Sequence, residues 1–345
     1  MDDLQGRYAR LVAAFSAAGQ GAFDVDRLAS DAEAVAAEAD SCWLRVQARA
    51  LAAASRAVGG SEPDLESIVD CSAPPGSDTT MRRLDELLAG PGTLGERLAT
   101  HDAGMTIPAG ALQPAAEGML RVLQGRAAED LELSVDHALS LKVVDRPAEA
   151  WRSKLHPGAL VLNRGAVWTA DRLVRVISTQ AYPGRHLVQL MRRPAPEWSP
   201  SPETTVDCGL AAVGREVLLA DHELAYELER TGRGIGARWN GARIVAVRRA
   251  LDELAPWFAA AARASPLRNV RSEVAALGTD APETGALIDR WRDPMARAHS
   301  LARAAGPPLV RGWLVATGQT AGLQRLLRDR LVPTMLRADM VDAPD

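Results

Sequence analysis

The sequence has few of the residues that stabilise exported proteins or anchor proteins in membranes. Its 345 residues contain only three cysteines, Cys42, Cys71 and Cys208, without a CxxC pair, which excludes a disulfide framework and a zinc ribbon. No run of about 18 apolar residues is present, and the acidic, polar N-terminus does not resemble a signal peptide. We therefore expect a cytoplasmic protein that does not bind membranes.

The sequence also lacks a strong charge of either sign. It has 40 basic and 44 acidic side chains, a formal net charge of −4, and only 4% aromatic residues. This balance, without interleaved basic and aromatic residues, argues against nucleic acid as a partner. The 47% apolar content is enough to bury a sizeable core and excludes a largely disordered chain.

What remains is a mainly α pattern. Apolar residues recur at three- and four-residue spacing among Ala, Leu, Arg and Glu, which predicts helices. We expect residues 1–345 to form a single helical domain, with helical layers over 1–125 and a helical body over 166–345. Individual helices are expected at about 27–58, 169–191, 203–219, 221–230, 237–263, 283–304 and 307–330.

A small β-ribbon is expected at 126–165, between these two helical regions. Residues 131–143 alternate apolar and polar side chains, and residues 158–163 form a second short apolar run. A period of two predicts strands. His137 lies on the apolar side of the first strand, where a partly buried, satisfied histidine is the favoured interpretation.

The most informative segment is residues 179–186, Thr-Gln-Ala-Tyr-Pro-Gly-Arg-His. A Pro-Gly pair inside a helix removes backbone hydrogen bonds, so another interaction must compensate for it. About 20 residues later, the segment 206–212 reads Val-Asp-Cys-Gly-Leu-Ala-Ala and opens the helix 203–219. We expect these two helices to face each other.

These segments resemble the domain-of-unknown-function 885 family of zinc metallopeptidase-like proteins. Its hallmark helix reads His-Glu-Ala-Tyr-Pro-Gly-His-His, preceded by a short strand ending in Asn and followed by a helix reading Ser-Glu-Gly-Ile-Ala-Asp. This chain has a strand ending at Asn163, then Ala-Tyr-Pro-Gly at 181–184 and Gly-Leu-Ala at 209–211. Weaker similarity extends from Trp43 to the C-terminal helices. The resemblance implies a zincin-like helical domain with a small β-ribbon.

The metal-binding motif of that family has degenerated here. Thr179 stands in place of the first His, Gln180 in place of Glu, Arg185 in place of one His of the pair, and Cys208 in place of the Glu on the second helix. Threonine is a poor zinc ligand, glutamine is not a base, and a guanidinium group repels a divalent cation. We therefore expect no zinc and no cofactor.

Three functional hypotheses follow. The first is a metal-independent enzyme acting on a small or peptide-like substrate in the former metallopeptidase cavity, within specialised natural-product metabolism and with biosynthetic proteins as partners. Cys208 would be the nucleophile and His186 its base, with Asp207 or Glu216 orienting the histidine or acting as acid or base. Cys208 can equally be a small buried apolar residue. The substrate-binding candidates are Arg185, Gln180, Thr179, Tyr182, Asn163 and Trp168.

The second hypothesis is a catalytically inactive pseudopeptidase that binds a small molecule or a protein in the same cavity. The third is a hydrolase with relocated metal ligands, drawn from His156, His186, Cys208, Asp207 and His222. This third hypothesis ranks last because no two of these residues form a close ligand pair on one helix face.

Overall fold

A computed structural model describes residues 2–17, 24–72, 75–76, 78–132, 138–149, 151–192, 197–263 and 281–342. Most of these residues are helical, and the expected mainly α fold with a small β element is confirmed. The helices are α1 Asp2–Ala17, α2 Val25–Glu38, α3 Cys42–Val58, α4 Leu65–Val69, α5 Asp78–Leu87, α6 Leu94–Gly104, α7 Leu112–Asp130, α8 Ala170–Gln180, α9 Arg185–Met191, α10 Pro202–Leu218, α11 Asp221–Gly234, α12 Gly241–Asp252, α13 Ala255–Arg263, α14 Ala281–Arg290, α15 Pro294–Thr317, α16 Gln319–Arg328 and α17 Pro333–Asp342.

The β element has three strands, β1 Ser140–Val144, β2 Ser153–His156 and β3 Ala159–Asn163. The central strand β3 pairs in parallel with β1 and antiparallel with β2. The expected strand at 158–163 is therefore confirmed, whereas β2 was not predicted.

The predicted strand over 131–143 is mostly wrong. Helix α7 runs to Asp130. Leu131 follows as its C-cap, and the backbone N–H of Leu131 donates a hydrogen bond to Ala127 O at 3.0 Å. Leu131 is thus buried at a helix end and not on a strand. Residues 133–137, including His137, lie outside the described residues.

Several long predicted helices are divided. The predicted helix 27–58 breaks at Ala39–Ser41, where the Arg45 guanidinium group donates to the carbonyl oxygens of Ala39 and Asp40. The prediction for 237–263 corresponds to α12 and α13. Conversely, α15 continues through Pro307 and Pro308, although each proline removes one helical hydrogen bond.

Helix α10 lies between the two largest apolar clusters. Val206, Leu210 and Val213 belong to the cluster that also contains Tyr182. Cys208 packs instead against the cluster built around α2, α3 and the first half of α15. At about 100° per residue, Cys208 points about 160° away from Val206, so the two sides of α10 face different parts of the core.

Helices α10 and α15 are in close backbone contact. A Cβ atom on Gly306 would overlap the carbonyl oxygen of Thr205, and one on Gly209 would lie 2.5 Å from Gly306 O. Glycine is required at both positions because no side chain fits between the helices. This contact fixes which residues of α15 lie beside Cys208.

No helix in the described part of the chain combines the length and the apolar character needed to cross a bilayer.

Candidate functional site

The Tyr-Pro-Gly segment ends helix α8 instead of lying within a longer helix. Residues Ala181–Gly184 separate α8 from α9, so the predicted helix 169–191 is interrupted. A Cβ atom on Gly214 of α10 would lie 2.7 Å from Pro183 Cγ. The packing of Pro183 against α10 compensates for the interruption, and it confirms that 179–186 and 207–216 are neighbours.

His186 is buried below this turn. Its exposed fraction is 4%, and its ring meets that of Tyr182 edge-on at 5.6 Å between centroids. Burial raises the pKa of Tyr182 to about 12, against a smaller effect of its hydrogen bond with the Leu139 main chain. These two predicted site residues therefore belong to the apolar core.

Cys208 is half-buried on another side of α10. It lies about 120° around the helix from Gly214, which marks the side facing the Tyr-Pro-Gly turn. Burial raises the pKa of its thiol to about 12; Asp207 raises it further, while Arg303 and Arg175 act in the opposite direction. A thiol that stays protonated at neutral pH is a poor nucleophile, so the geometry does not favour the predicted Cys208–His186 pair.

The two predicted carboxylates are held in ion pairs. Asp207 Oδ1 lies 2.7 Å from Arg192 Nη1 at the end of α9. Glu216 lies 3.2 Å from Arg311 Nη2 and 3.5 Å from Arg249 Nη2. Such carboxylates join helices.

Asn163 and Trp168 also have structural roles instead of the predicted ligand contacts. The Asn163 amide accepts from Arg146 N and Gly165 N and donates to Arg146 O and Trp151 O at 2.9–3.0 Å. Trp168 is 2% exposed and donates from Nε1 to Asn163 O at 2.8 Å. Together they close the loop between the sheet and α8.

The remaining predicted substrate-binding residues lie at the end of α8 and the start of α9. Arg185 is exposed, whereas Thr179 and Gln180 are half-buried. The Thr179 hydroxyl donates to Arg175 O at 2.8 Å, one turn earlier on the same helix face.

The residues do not fit a zinc site. No group of three His, Cys, Asp or Glu side chains converges anywhere in the described ranges. Of the relocated-ligand candidates, His156 and His222 are exposed at separate elements, and Asp207 pairs with Arg192.

A different set of side chains meets beside Cys208. Helix α8 packs against α10 and α12, and α10 packs against α15. Leu173, Val174 and Ile177 bury the apolar face of α8, while Arg175 and Thr179 are solvent-accessible. We name the region around Arg175, Thr179, Cys208 and Arg303 the arginine recess: the charges of Arg175 and Arg303 both act on the Cys208 thiol, and the Thr179 hydroxyl donates to the main chain of Arg175.

Arg175 is the clearest sign of this recess. Its side chain is exposed, yet burial by the surrounding protein lowers its pKa to about 10, with further lowering by the charges of Arg248 and Arg303. The Arg175 side chain is therefore accessible to water although protein atoms surround its guanidinium group.

Arg303 of α15 acts on Arg175 through its charge. The neighbouring positions Leu301, Ala302, Ala304 and Ala305 are all buried, whereas Arg303 is exposed. Among the interactions of the described residues, neither its guanidinium group nor that of Arg175 has a hydrogen bond or an ion pair.

Arg248 of α12 shows the contrasting case. Its guanidinium group lies 2.6 Å from Asp252 and 3.5 Å from Asp171. Burial alone would lower its pKa, but these two carboxylates outweigh burial and raise it. The two carboxylates that act on Arg175 are thus already engaged by Arg248.

His299 stands one turn before Arg303 on the same face of α15. It is exposed, and burial lowers its pKa, with further lowering by Arg303 and Arg290. Its imidazole is therefore neutral at pH 7 and keeps one nitrogen free to accept a proton.

Arg175, Arg303 and His299 were not among the residues predicted from the sequence. One available signal was a lone arginine in the small-residue run Leu301–Gly306, and another was Arg175 one turn before Thr179. Both were hidden by the abundance of arginine, because the chain has 40 basic residues and nearly all are arginine.

At each of two surface depressions elsewhere, an arginine side chain is already in an ion pair. One lies between α7 and α11, where Arg230 at its rim already pairs with Glu227. The other lies beside Asp70 and Arg337, which pair with each other.

Comparison with known proteins supports the fold. No family model and no curated protein matches the chain. A crystal structure of "the putative lipoprotein from Colwellia psychrerythraea" matches with a TM-score of 0.53 and 13% identity, over 91% of this chain and 54% of that one. The chain therefore spans about half the length of that protein. At this identity the similarity shows a shared fold and nothing about function.

Proposed function

We propose that the chain binds a small or peptide-like ligand in the arginine recess, without zinc and without a Cys208 thiolate. The observation that carries this proposal is that the charges of Arg175 and Arg303, neither of which has an ion pair among the described residues, both act on Cys208. The resemblance to the metallopeptidase-like family supports it, because Cys208 stands at a position of the degenerate motif and Thr179, at another, donates a hydrogen bond to the main chain of Arg175.

Several expectations belong to this proposal. They include a cytoplasmic location, supported by three free cysteines, membership of a divergent branch of that family, and biosynthetic proteins as partners. Neither a membrane nor a nucleic acid is proposed as a ligand.

Ligand-induced stabilisation tests the proposal. A library of small acids, amides and dipeptides is screened by thermal unfolding, because a ligand that binds only the folded state raises Tm. Hits are repeated on Thr179→Trp, which places a large side chain in the recess, and on Gln189→Trp, a control on the exposed face of α9. We expect hits that Thr179→Trp abolishes and the control retains; hits that both variants retain would contradict a ligand site in the recess.

Catalysis is a second candidate function, favoured by the neutral His299 imidazole beside Arg303. A base of this kind can accept a proton from a bound substrate. We expect His299→Gln to remove any turnover of a library hit, measured by mass spectrometry, while leaving its thermal shift. Turnover that persists in this variant would exclude His299 as the base. If the wild-type protein binds a hit but forms no product, the protein is a binding module and not an enzyme.

A further inference from the structure

The depression between α7 and α11 has the size and lining of a second ligand site, separate from the arginine recess. Its volume is about 520 Å³, which lies within the range of small-molecule sites. The lining comes from residues between 114 and 122 of α7 and between 230 and 235 of α11 and its C-cap. We infer that this depression, named the α7–α11 cleft, binds a small carboxylic acid with an apolar body.

Regular elements hold the walls of the cleft in place. Arg126 of α7 donates from Nη2 to Glu223 Oε1 of α11. The lining residues lie one to three turns before Arg126 on α7 and two to three turns after Glu223 on α11, so the two helices run antiparallel. Ala115 is buried at the bottom of the cleft, and Val122 and Ile235 pack against the same apolar cluster. This part of the lining is suited to the apolar body of a ligand.

Two glycines leave the cleft open. Gly118 and Gly234 both line it, and a Cβ atom on either would meet nothing within 4 Å. Glycine in a helix interior costs about 1 kcal/mol relative to alanine. No packing among the described residues requires glycine at position 118, so its effect there is to keep space free between the helices.

The charged side chains that line the cleft are Arg121 and Arg230. Arg230 is neutralised by Glu227, whose Oε2 lies 2.7 Å from Arg230 Nε and 2.6 Å from Nη2. The other nearby carboxylate, Glu117, accepts from Gln113 Nε2 at 3.0 Å, and neither carboxylate lines the cleft. Arg121 has a contact of 3.4 Å from Nε to Glu117 O and no ion pair among the described residues. It is therefore the cation available to a ligand.

One available guanidinium group favours a carboxylate. Its planar N–H donors match two carboxylate oxygens, and its single charge matches a carboxylate better than a phosphate group, which carries about −1.5 to −2 at pH 7. The Thr231 hydroxyl also lines the cleft. It has no hydrogen bond among the described residues and can donate to the bound acid.

Isothermal titration calorimetry with matched probes tests the inference. The probes are phenylacetate, phenylacetamide, which lacks the charge, and acetate, which lacks the apolar body, all at one ionic strength because salt screens charges. We expect phenylacetate to bind at least tenfold more tightly than either of the others. Phenyl phosphate is expected to bind more weakly than phenylacetate, and tighter binding would overturn the assignment to a carboxylate.

Gly118→Leu tests whether phenylacetate occupies the cleft. The leucine side chain has space at Cβ and fills the cleft, so we expect at least tenfold weaker binding. Gly125→Leu is the matched control, because it lies about two turns further along α7, outside the lining, and its Cβ also meets nothing within 4 Å. The control is expected to bind phenylacetate as wild type does.

Arg121→Gln tests the charge. We expect it to bind phenylacetate at least tenfold more weakly, whereas Arg328→Gln, which removes an exposed arginine on α16 without a described ion pair, is expected to bind normally. Because Arg121 has no ion pair in the fold, this variant keeps the inference testable if Gly118→Leu fails to fold.

The results that would overturn the inference are separate from those that test the arginine recess. They are the absence of phenylacetate binding to wild type, and binding that Gly118→Leu and Arg121→Gln both leave unchanged. Loss of phenylacetate binding in Thr179→Trp would assign the acid to the arginine recess and would also overturn the inference. The cleft and the recess share no residue, so failure of the proposed function leaves this inference standing.

Discussion

Desolvation decides what Cys208 can do. With a pKa raised to about 12 by burial, about one thiol in ten thousand is ionised at pH 8. The higher intrinsic reactivity of a basic thiolate offsets only part of this loss. The residue therefore behaves as a small apolar side chain between two helices, despite bordering an accessible space.

Alkylation with iodoacetamide at pH 8 tests this interpretation. We expect Cys208 to react at least tenfold more slowly than the exposed Cys42, measured by peptide mass spectrometry over time. Labelling of Cys208 at the rate of Cys42 would show an activated thiol and restore the nucleophile hypothesis.

Glu203 is the corresponding case of a buried carboxylate. Its side chain is 10% exposed, accepts from Trp43 Nε1 at 3.0 Å and lies 2.7 Å from Arg330 Nη1. Burial raises its pKa, against the lowering effects of Arg330 and Arg192. A carboxyl group with a raised pKa favours the folded state most when it is protonated.

Because the pKa of Glu203 is raised in the folded state, the effect of Glu203→Gln on the unfolding free energy depends on pH. The wild-type carboxyl contributes stability that is present below its unfolded pKa of about 4.3 and is lost as pH rises through its folded value. Because glutamine does not titrate, we expect the loss of unfolding free energy in Glu203→Gln to be larger at pH 4.5 than at pH 7. Urea unfolding at both pH values measures it, and a loss that grows toward pH 7 would mean the ion pair outweighs burial.

At the scale of elements, the contact between α10 and α15 positions the recess. Gly306 and Gly209 let the helices approach until their backbones touch, and this places Arg303 beside Cys208. The charge of Arg303 acts on the thiol across this contact.

Gly306→Ala is expected to separate these helices. The added methyl overlaps the Thr205 carbonyl oxygen, so we expect a loss of about 2–4 kcal/mol in unfolding free energy. Gly118→Ala in α7, where a Cβ meets nothing within 4 Å, is the matched control and is expected to gain up to about 1 kcal/mol. Equal effects of the two substitutions in urea unfolding would contradict the close contact.

Some of the helices and strands could be predicted from the sequence and others could not. The helical period correctly predicted most helices and the strand at 158–163, because these elements bury one regular face. The break at Ala39–Ser41 has a local signal that the prediction missed, because the Ser41 hydroxyl caps α3 by accepting from Leu44 N. The break at Ala181–Gly184 also involves the packing of Pro183 against Gly214 of α10, which no local pattern encodes. The arginine recess could not be predicted either, because it depends on which arginines lack an acidic partner. Such ion pairs join residues far apart in the sequence, as Arg248 and Asp171 show.

At the scale of the whole molecule, the C-terminal helix is tied to the N-terminal half by Asp70. Its carboxylate accepts from Thr334 N at 2.7 Å, from Thr334 Oγ1 at 2.8 Å and from Arg337 Nη2 at 3.1 Å. The carboxylate therefore caps α17 from a residue more than 260 positions earlier.

Asp70→Ala is expected to lower the unfolding free energy by about 1–2 kcal/mol through loss of this cap and to expose residues 333–342 to limited proteolysis. Asp342→Ala, an exposed position at the end of the same helix, is the control. Unchanged urea unfolding and proteolysis in Asp70→Ala would show that α17 docks without the cap.

The distribution of ion pairs over the whole molecule sets the arginine recess in context. The formal net charge of −4 contains many acid–arginine pairs, and in the described residues most arginines that border other helices have an acidic partner, as Arg249 has in Asp221. Arg175 and Arg303 have no acidic partner among the described residues, and the charge of Arg303 acts on Arg175. The proposed ligand site rests on this property.

The most direct measurement is the unfolding free energy of the ligand-free wild type, Arg175→Gln, Arg303→Gln and the double variant, compared at low salt. Each single substitution removes the same repulsion, so we predict that each keeps or raises stability, by up to about 1 kcal/mol, and that the double variant gains little more than either single variant. A loss of more than about 1 kcal/mol in either single variant would show that its guanidinium group stabilises the fold and would contradict a recess reserved for a ligand.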